Sequence, residues 1–398
     1  RVTIGGLTPM TTYTVFAVAC DDTGGYSGMQ VVQFVTEYAG PRPYEWESAR
    51  DGIPSYTDLV LCYGGSTHRT PFGWDKERFA PFVTYTDEAG GEHWLFDSFL
   101  CIEFVMVPYS INLGQKRTSG GREQWQELID YWFGPDNGVN ALEEAVGEAA
   151  ARLGAPAGKR KVVMVMPDPI IYEEYADTNT STTYWGELNG RRLDFAKASD
   201  RIAAYKWYID SVRRLFDEAD YRYVELAGFY IVSEDLATPG DGWNPELKRW
   251  EEVIPEVAEY LHALNESLCW IPYNRAAGYR NWKRFGIDYA YMQPNYFWDD
   301  KGEKPLSRFF SDIKANDLAM EFEFDDALLE KTAGSEVYRR RLREYMDGAK
   351  EHGIYGRKPL AYYHGQNTLY ELSVSAAAED RKLYHEFCRF VLDNPLRK

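Results

Sequence analysis

Residues 161–232 hold the stretch that decides the architecture. It reads KVVMVM at Lys161–Met166, a long amphipathic segment at Lys197–Ala219, and VELAGFYIV at Val224–Val232. A short apolar run, a helical stretch and a second apolar run form a β–α–β unit. Such units pair their strands in parallel through a right-handed crossover. The same alternation continues in both directions. Upstream lie DLVLCY at Asp58–Tyr63 and WLFDSFLCIEF at Trp94–Phe104. Downstream lie LCWIPY at Leu268–Tyr273, IDYAYM at Ile287–Met292, LAMEFEF at Leu318–Phe324 and LAYYH at Leu360–His364. Helical stretches are read at Glu123–Leu153, Pro245–Asn265, Ser335–His352 and Ser375–Asp393, while the span after the fifth apolar run shows no clear helix.

Eight strands separated by helices make a (β/α)8 TIM barrel of class α/β the economical fold, placed at residues 47–398. An open doubly wound sheet would call for a glycine-rich phosphate loop near its start. Cys62-Tyr63-Gly64-Gly65-Ser66 matches neither GxGxxG nor GK[ST]. Residues 1–38 read differently. Thr11–Cys20 and Val31–Thr36 are strands around the turn Asp21–Ser27, and Gly40-Pro41-Arg42-Pro43 lies in a linker at 39–46. The approach Leu7-Thr8-Pro9-Met10-Thr11-Thr12-Tyr13 resembles the tyrosine-corner region of a sandwich, so this segment resembles the C-terminal half of a fibronectin type III domain.

Charge narrows the partners. Lys and Arg number 44 and Asp and Glu 62, a net charge of −18. A chain this acidic repels phosphate backbones and anionic membranes, so no nucleic-acid partner is expected, and a neutral substrate is accommodated more easily than a polyanion unless a local basic cleft exists. No stretch is long and apolar enough for a transmembrane helix. The chain opens at Arg1 in mid-pattern, so the lack of a signal peptide carries no information on export. The five cysteines show no CxxC spacing and the six histidines no HxH or HExxH spacing, so neither a disulfide framework nor a metal site or other cofactor is expected.

Active sites of this barrel sit at the C-terminal ends of the strands. The residues there are Tyr63 with His68 and Arg69 after the first run, Asp97 and Glu103 in the second, and Asp168 after the third. Glu234 follows the fourth, Asn274 the fifth, Gln293, Asn295 and Tyr296 the sixth, and His364 the eighth. The seventh is the most informative. In Met320-Glu321-Phe322-Glu323-Phe324-Asp325 acids alternate with apolar residues, so the acids share one face. A buried acidic face is costly unless it lines a solvated pocket. With the phenylalanines against the outer helices, the acids point into the barrel mouth.

Two carboxyls flanking a glycosidic bond are the minimal set for most glycosidases. Glu234, beside an apolar run, fits the acid, and Glu323 fits the nucleophile. Glu321, about 6–7 Å deeper on the same strand face, orients neighbours or binds a hydroxyl, with an exchange of roles left open. The 16% aromatic content suits sugar stacking, with Tyr184, Trp185, Trp243, Tyr296 and Trp298 as platforms, and equally suits core packing. His68, Arg69 and His364 are candidate contacts to hydroxyls or a carboxylate. Asp97 and Asp168 either bind substrate or satisfy loop amides.

The pattern resembles the clan of retaining glycoside hydrolases whose acid/base ends strand 4 and whose nucleophile ends strand 7. That resemblance implies Glu234 and Glu323 in those roles. The chain departs from it where Ser233 stands in place of the usual asparagine, leaving Asn274, Asn295 or Gln293 to supply the amide. Over residues 45–395 the pieces WLFDSFL, GFYIVSED, YMQPNYFW and MEFEFDD also resemble a bacterial barrel family known mainly as a domain of unknown function. Its members resemble secreted, periplasmic or cell-surface carbohydrate-active proteins of gut bacteria, which implies that setting and a carbohydrate substrate. Two alternatives stand beside the hydrolase: a non-catalytic carbohydrate-binding barrel, and a metal-dependent lyase or hydrolase built on Asp97, Asp168, Glu321 and Glu323. Nothing in the sequence sets an oligomeric state.

Overall fold

Each of the eight apolar runs supplies one strand of a closed parallel barrel in the computed structural model, which describes residues 4, 12–35, 55–64, 72–103, 105–106, 109–110, 118–171, 181–236 and 249–397. The barrel strands are β1 (Asp58–Tyr63), β2 (Ser98–Ile102), β3 (Arg160–Met166), β4 (Val224–Ile231), β5 (Ser267–Trp270), β6 (Tyr289–Met292), β7 (Ala319–Glu323) and β8 (Leu360–Tyr363). Neighbours in the chain are neighbours in the barrel, and β8 pairs with β1 to close it. The helices are α1 (Lys76–Val83), α2 (Arg122–Trp132), α3 (Gly138–Leu153), α4 (Ala198–Ala219), α5 (Arg249–Ala263), α6 (Leu306–Ala315), α7 (Ser335–Glu351), α8 (Thr368–Val374) and α9 (Ala378–Leu392).

Three local readings change. The stretch 123–153 is two helices, α2 and α3. Gly138 between them sits at φ 59, and a Cβ there would lie 2.2 Å from the Trp132 carbonyl oxygen. Only glycine fits that backbone, so the chain must turn. The second run enters the barrel only from Ser98, because Glu92–Trp94 pairs antiparallel with Thr84–Thr86 in a hairpin. The span after β5, where no helix is read, holds a 3-10 turn at Trp282–Phe285. Pairing between β3 and β4 slips by one residue, with Val162 opposite Leu226 and Val163 opposite Gly228. Gly228 is required because a Cβ would fall 2.1 Å from Ser267 Oγ.

Residues 12–35 form an antiparallel hairpin of Thr12–Ala17 and Gln30–Val35, matching the expected strand, turn and strand. Asp21 Oδ1 accepts from the N–H groups of Thr23 and Gly25 and fixes the turn. The linker lies outside the described residues.

Strand alternation sorts the barrel side chains. Phe322 and Phe324 face the helical layer, against Tyr345 of α7 and Phe387 and Phe390 of α9. Glu321 and Glu323 occupy the opposite face and are buried. The N-terminal end is closed by a polar knot. Asp58, fully buried, accepts from the Tyr362 hydroxyl at 2.7 Å and from Arg397 at 3.0 Å. Burial, with repulsion from Asp97, pushes the Asp58 carboxyl up to about 7, and Arg397 opposes that rise. Removing Arg397 therefore leaves a buried carboxyl that resists ionisation more strongly. Arg397→Ala is expected to cost roughly 2–4 kcal/mol at pH 8 and clearly less at pH 5, where Asp58 is protonated. Thermal melts at the two pH values decide this, and an equal loss at both contradicts it.

Candidate active site

The site is built on β7. Its two inward carboxyls, Glu321 and Glu323, are 2% and 3% exposed. Burial disfavours charge on both. Burial, then repulsion from Glu323 and Glu234, pushes Glu321 well above the usual carboxylate range. Burial pushes Glu323 up to about 8, against two hydrogen bonds that pull it down. Both bonds come from Asn295, whose N–H donates to Oε2 at 2.5 Å and whose Nδ2 donates to Oε1 at 3.1 Å. No described donor reaches the Glu321 carboxyl. Of this coupled pair, Glu321 keeps the proton and Glu323 is the one that ionises.

The same asparagine starts a bridge to the opposite side of the mouth. Its Nδ2 also donates to Gln293 Oε1 at 3.1 Å, and Gln293 Nε2 donates to Glu234 Oε1 at 2.9 Å. Glu234, just after β4, is exposed. Two amides after β6 thus connect a buried carboxyl of β7 with an exposed one after β4. The bridge is held in place from behind. The Asn274 N–H donates to Asn295 Oδ1 at 2.8 Å, and Asn274 Nδ2 donates to the Pro294 carbonyl at 2.8 Å. Asn295 sits at φ 51, a left-handed conformation that asparagine tolerates better than most residues. Next to Glu234, Trp270 Nε1 donates to the Ser233 carbonyl, while the Tyr273 hydroxyl and the Ala277 N–H donate to the Asp235 carboxylate.

An aromatic rim stands on the other flank of Glu323. Tyr63 of β1 meets Tyr363 of β8 edge-on at 5.6 Å, and Tyr363 meets Trp298 at 6.1 Å. Trp298 is 40% exposed, and its Nε1 donates to Asp325 Oδ2 at 2.9 Å, which fixes the ring's direction. Asp325 is therefore not a third free acid of the strand face, since it also caps Ala327. Tyr363 was not among the residues singled out in the sequence. Its signal was the alternation of β8, in which Tyr362 turns outward to Phe387 and Tyr363 turns inward.

Several expected contacts lie elsewhere. Asp97 precedes β2 at the N-terminal end of the barrel, where it accepts from the N–H groups of Thr57 and Asp58, both at 2.8 Å. It cannot join Glu321 and Glu323 in a metal or substrate site. Trp185 is 1% exposed and packs against Trp125 and Trp207, so it is core and not a platform. Tyr184 is half-buried against Phe195. Tyr296 turns to α7, its hydroxyl donating to Glu344 at 2.7 Å. His364 is buried against Phe82 of α1, and burial, with Arg78 nearby, lowers it to about 3, so it is neutral. Asp168 and Glu103 are buried just after β3 and β2. His68, Arg69 and Trp243 lie outside the described residues. Among the described residues, no group of three or more His, Cys, Asp or Glu side chains is placed to hold a metal ion.

The chain belongs to the family described as a domain of unknown function (DUF4855), which matches residues 58–389, from the first residue of β1 into α9. No curated protein matches it. Solved structures similar to it include the following two. A D-allulose 3-epimerase from Methylomonas sp. is 8% identical with a TM-score of 0.37, over 86% of this chain and 99% of that one. A psychrophilic glycoside hydrolase family 10 endo-beta-1,4-xylanase is 12% identical with a TM-score of 0.36, over 79% of this chain and 87% of that one.

Holding Glu321 protonated has a stability consequence. A carboxyl whose folded value is raised gives stability that is intact below its unfolded value and is lost as pH rises toward the folded value. For Glu321 that loss begins near 4.5 and runs at up to about 1.4 kcal/mol per pH unit. Glu321→Gln, an isostere that never ionises, is expected to melt close to the parent at pH 5 and several degrees above it at pH 8. A parent that melts higher than the variant at pH 8 would show that the carboxyl is not held protonated.

Proposed function

We propose that the chain is a glycoside hydrolase that cleaves a complex polysaccharide or glycan with retention. Glu323 is the nucleophile and Glu234 the acid/base. The observation that carries this reading is the bridge from Glu234 through Gln293 and Asn295 to Glu323. It joins two carboxyls across the C-terminal mouth of the barrel, where this fold places its chemistry. Asn295 favours the ionised form of Glu323, as attack on an anomeric carbon requires. Glu234 is exposed, so a leaving oxygen and then a water can reach it, as an acid/base requires in the two steps of the cycle.

In the first step Glu323 bonds to the anomeric carbon while Glu234 gives its proton to the departing glycosidic oxygen. In the second, Glu234 takes a proton from the water that releases the sugar, and Glu323 is regenerated. The charge of one carboxylate favours proton retention on the other, and forming the glycosyl ester removes that charge. The switch of Glu234 from acid to base then follows from the chemistry itself. Glu321, neutral and deeper, keeps a second negative charge away from the nucleophile. The rim of Tyr63, Tyr363 and Trp298 gives a sugar a face to stack on. For a polysaccharide that lies outside the cell and cannot enter it intact, this work would fall to a secreted, periplasmic or cell-surface protein.

Glu234→Gln and Glu323→Gln are each expected to lower hydrolysis by about 10²-fold or more while the chain still folds cooperatively. Full activity in either on a cleaved glycan defeats the assignment, and proton NMR of the first-formed anomer tests retention. A second expectation concerns pH. Because Glu323 must be ionised, kcat/KM should fall as pH drops through its value, near 8 in the free protein. Asn295→Gly keeps the N–H but loses Nδ2, so the limb should move to higher pH. Movement to lower pH, or none, shows that the amide does not stabilise the charge.

A further inference from the structure

Beside the site, a depression of ≈ 310 Å³ opens at the loops after β5 and β6, lined by Asn274, Arg275, Glu303, Lys304, Pro305 and Arg308. Three cations there face one carboxylate. In a chain with 62 acidic and 44 basic side chains, this is the reverse of the average surface. Arg275 has a distant partner in Asp312 at 3.8 Å. Among the described residues, neither Lys304 nor Arg308 forms an ion pair.

The depression is tied to the chemistry at two points. Asn274 lines it and donates to Asn295, the residue that holds Glu323. Lys304 is close enough to Glu323 to favour its charge. The loop carrying Lys304 is also fixed. Asp299 accepts from the N–H groups of Glu303 at 3.1 Å and Lys304 at 2.7 Å, and the Asp300 carboxylate meets Arg341 at 3.2 Å. Lys304 on this ordered loop and Arg308 in the first turn of α6, with no ion-pair partner among the described residues, stand beside a carboxylate that must meet the substrate and are placed to receive an anion. The aromatic rim lies on the β8 and β1 side of Glu323 and the cations on the β5 side, so a glycan crossing the nucleophile touches both.

We propose that this depression is a subsite for an anionic substituent, carboxylate or sulfate, on the glycan, so that the substrate is an acidic polysaccharide. This inference rests on the hydrolase reading for the identity of the neighbouring site. It is the local basic cleft that the net charge of the chain left open.

The test measures binding, so it does not depend on turnover. The Glu323→Gln chain is titrated with polygalacturonate, hyaluronan and chondroitin sulfate, each beside its carboxyl-reduced form and, for the last, its desulfated form. Neutral xylan and β-glucan serve as references. At least one acidic polysaccharide should bind about tenfold or more tightly than its neutralised counterpart, with the arm that loses binding identifying carboxylate or sulfate. Adding Lys304→Met and Arg308→Met, with melting unchanged, should remove most of that preference and leave binding to the neutral references as it was. No preference for any of the three, or a preference that survives the double substitution, overturns the subsite. Parent protein separates the two readings. An acidic glycan that is bound at the subsite and never cleaved defeats the hydrolase and leaves the subsite. Cleavage confined to neutral glycans does the opposite.

Discussion

Two carboxyl groups at alternate positions of one strand, both turned into the interior of a barrel, set the constraint that the rest of the site answers. Placing Glu321 and Glu323 two residues apart on β7 forces them onto the same face, and both are almost fully buried. Two charges cannot be held there at neutral pH without opposing charges or donors. The fold resolves this asymmetrically. It aims an N–H and an amide of Asn295 at Glu323 and aims no described donor at Glu321. The residues around Asn295 then become intelligible. Its left-handed backbone turns both donors toward one carboxylate, and Asn274 holds its side-chain oxygen so that the amide cannot flip.

The barrel separates this costly arrangement from the parts that hold it together. At its N-terminal end the polar groups are closed on one another, with Asp58 taking Tyr362 and Arg397, and Asp97 taking two backbone amides. Between the ends, Tyr56 stacks on Tyr289, and Tyr289 on Tyr291. At the C-terminal end the pattern opens into carboxyls, amides and an exposed tryptophan. Closed polar contacts lie at one end and open polar groups at the other, the end where this fold commonly places its active sites.

The fold was legible because β-branched and aromatic runs alternating with helical periodicity leave little choice of topology. The site was legible where a residue's position along a strand settles its direction, as it does for Glu321, Glu323 and the outward phenylalanines. It was illegible where direction depends on a loop. Trp185 and Trp298 look alike in sequence, yet one is locked among Trp125, Phe195 and Trp207 and the other stands at the mouth. Asp97 misled for a related reason. It lies inside an apolar run, but the barrel strand begins only at the next residue, which puts Asp97 at the wrong end. His364 ends the eighth apolar run, but its neighbour Tyr363 is the residue turned inward, while His364 packs against Phe82.

Ser233 is the residue that precedes Glu234 at the end of β4. The serine hydroxyl donates to the Asp235 carbonyl, and its own carbonyl is held by Trp270. Position 233 therefore fixes the backbone that presents Glu234 and offers no amide to a substrate. The side-chain amide that meets Glu234 comes from another strand end. Gln293, after β6, reaches past β5, donating to the Ile271 carbonyl at 3.3 Å on its way to Glu234. Gln293 shares a hydrogen bond with Asn295, so Glu234 and Glu323 are positioned by one connected pair of amides. A change in the charge of Glu323 alters the demand on Asn295, and through Gln293 it reaches Glu234. In this barrel the geometric coupling of the two carboxyls runs alongside their electrostatic coupling.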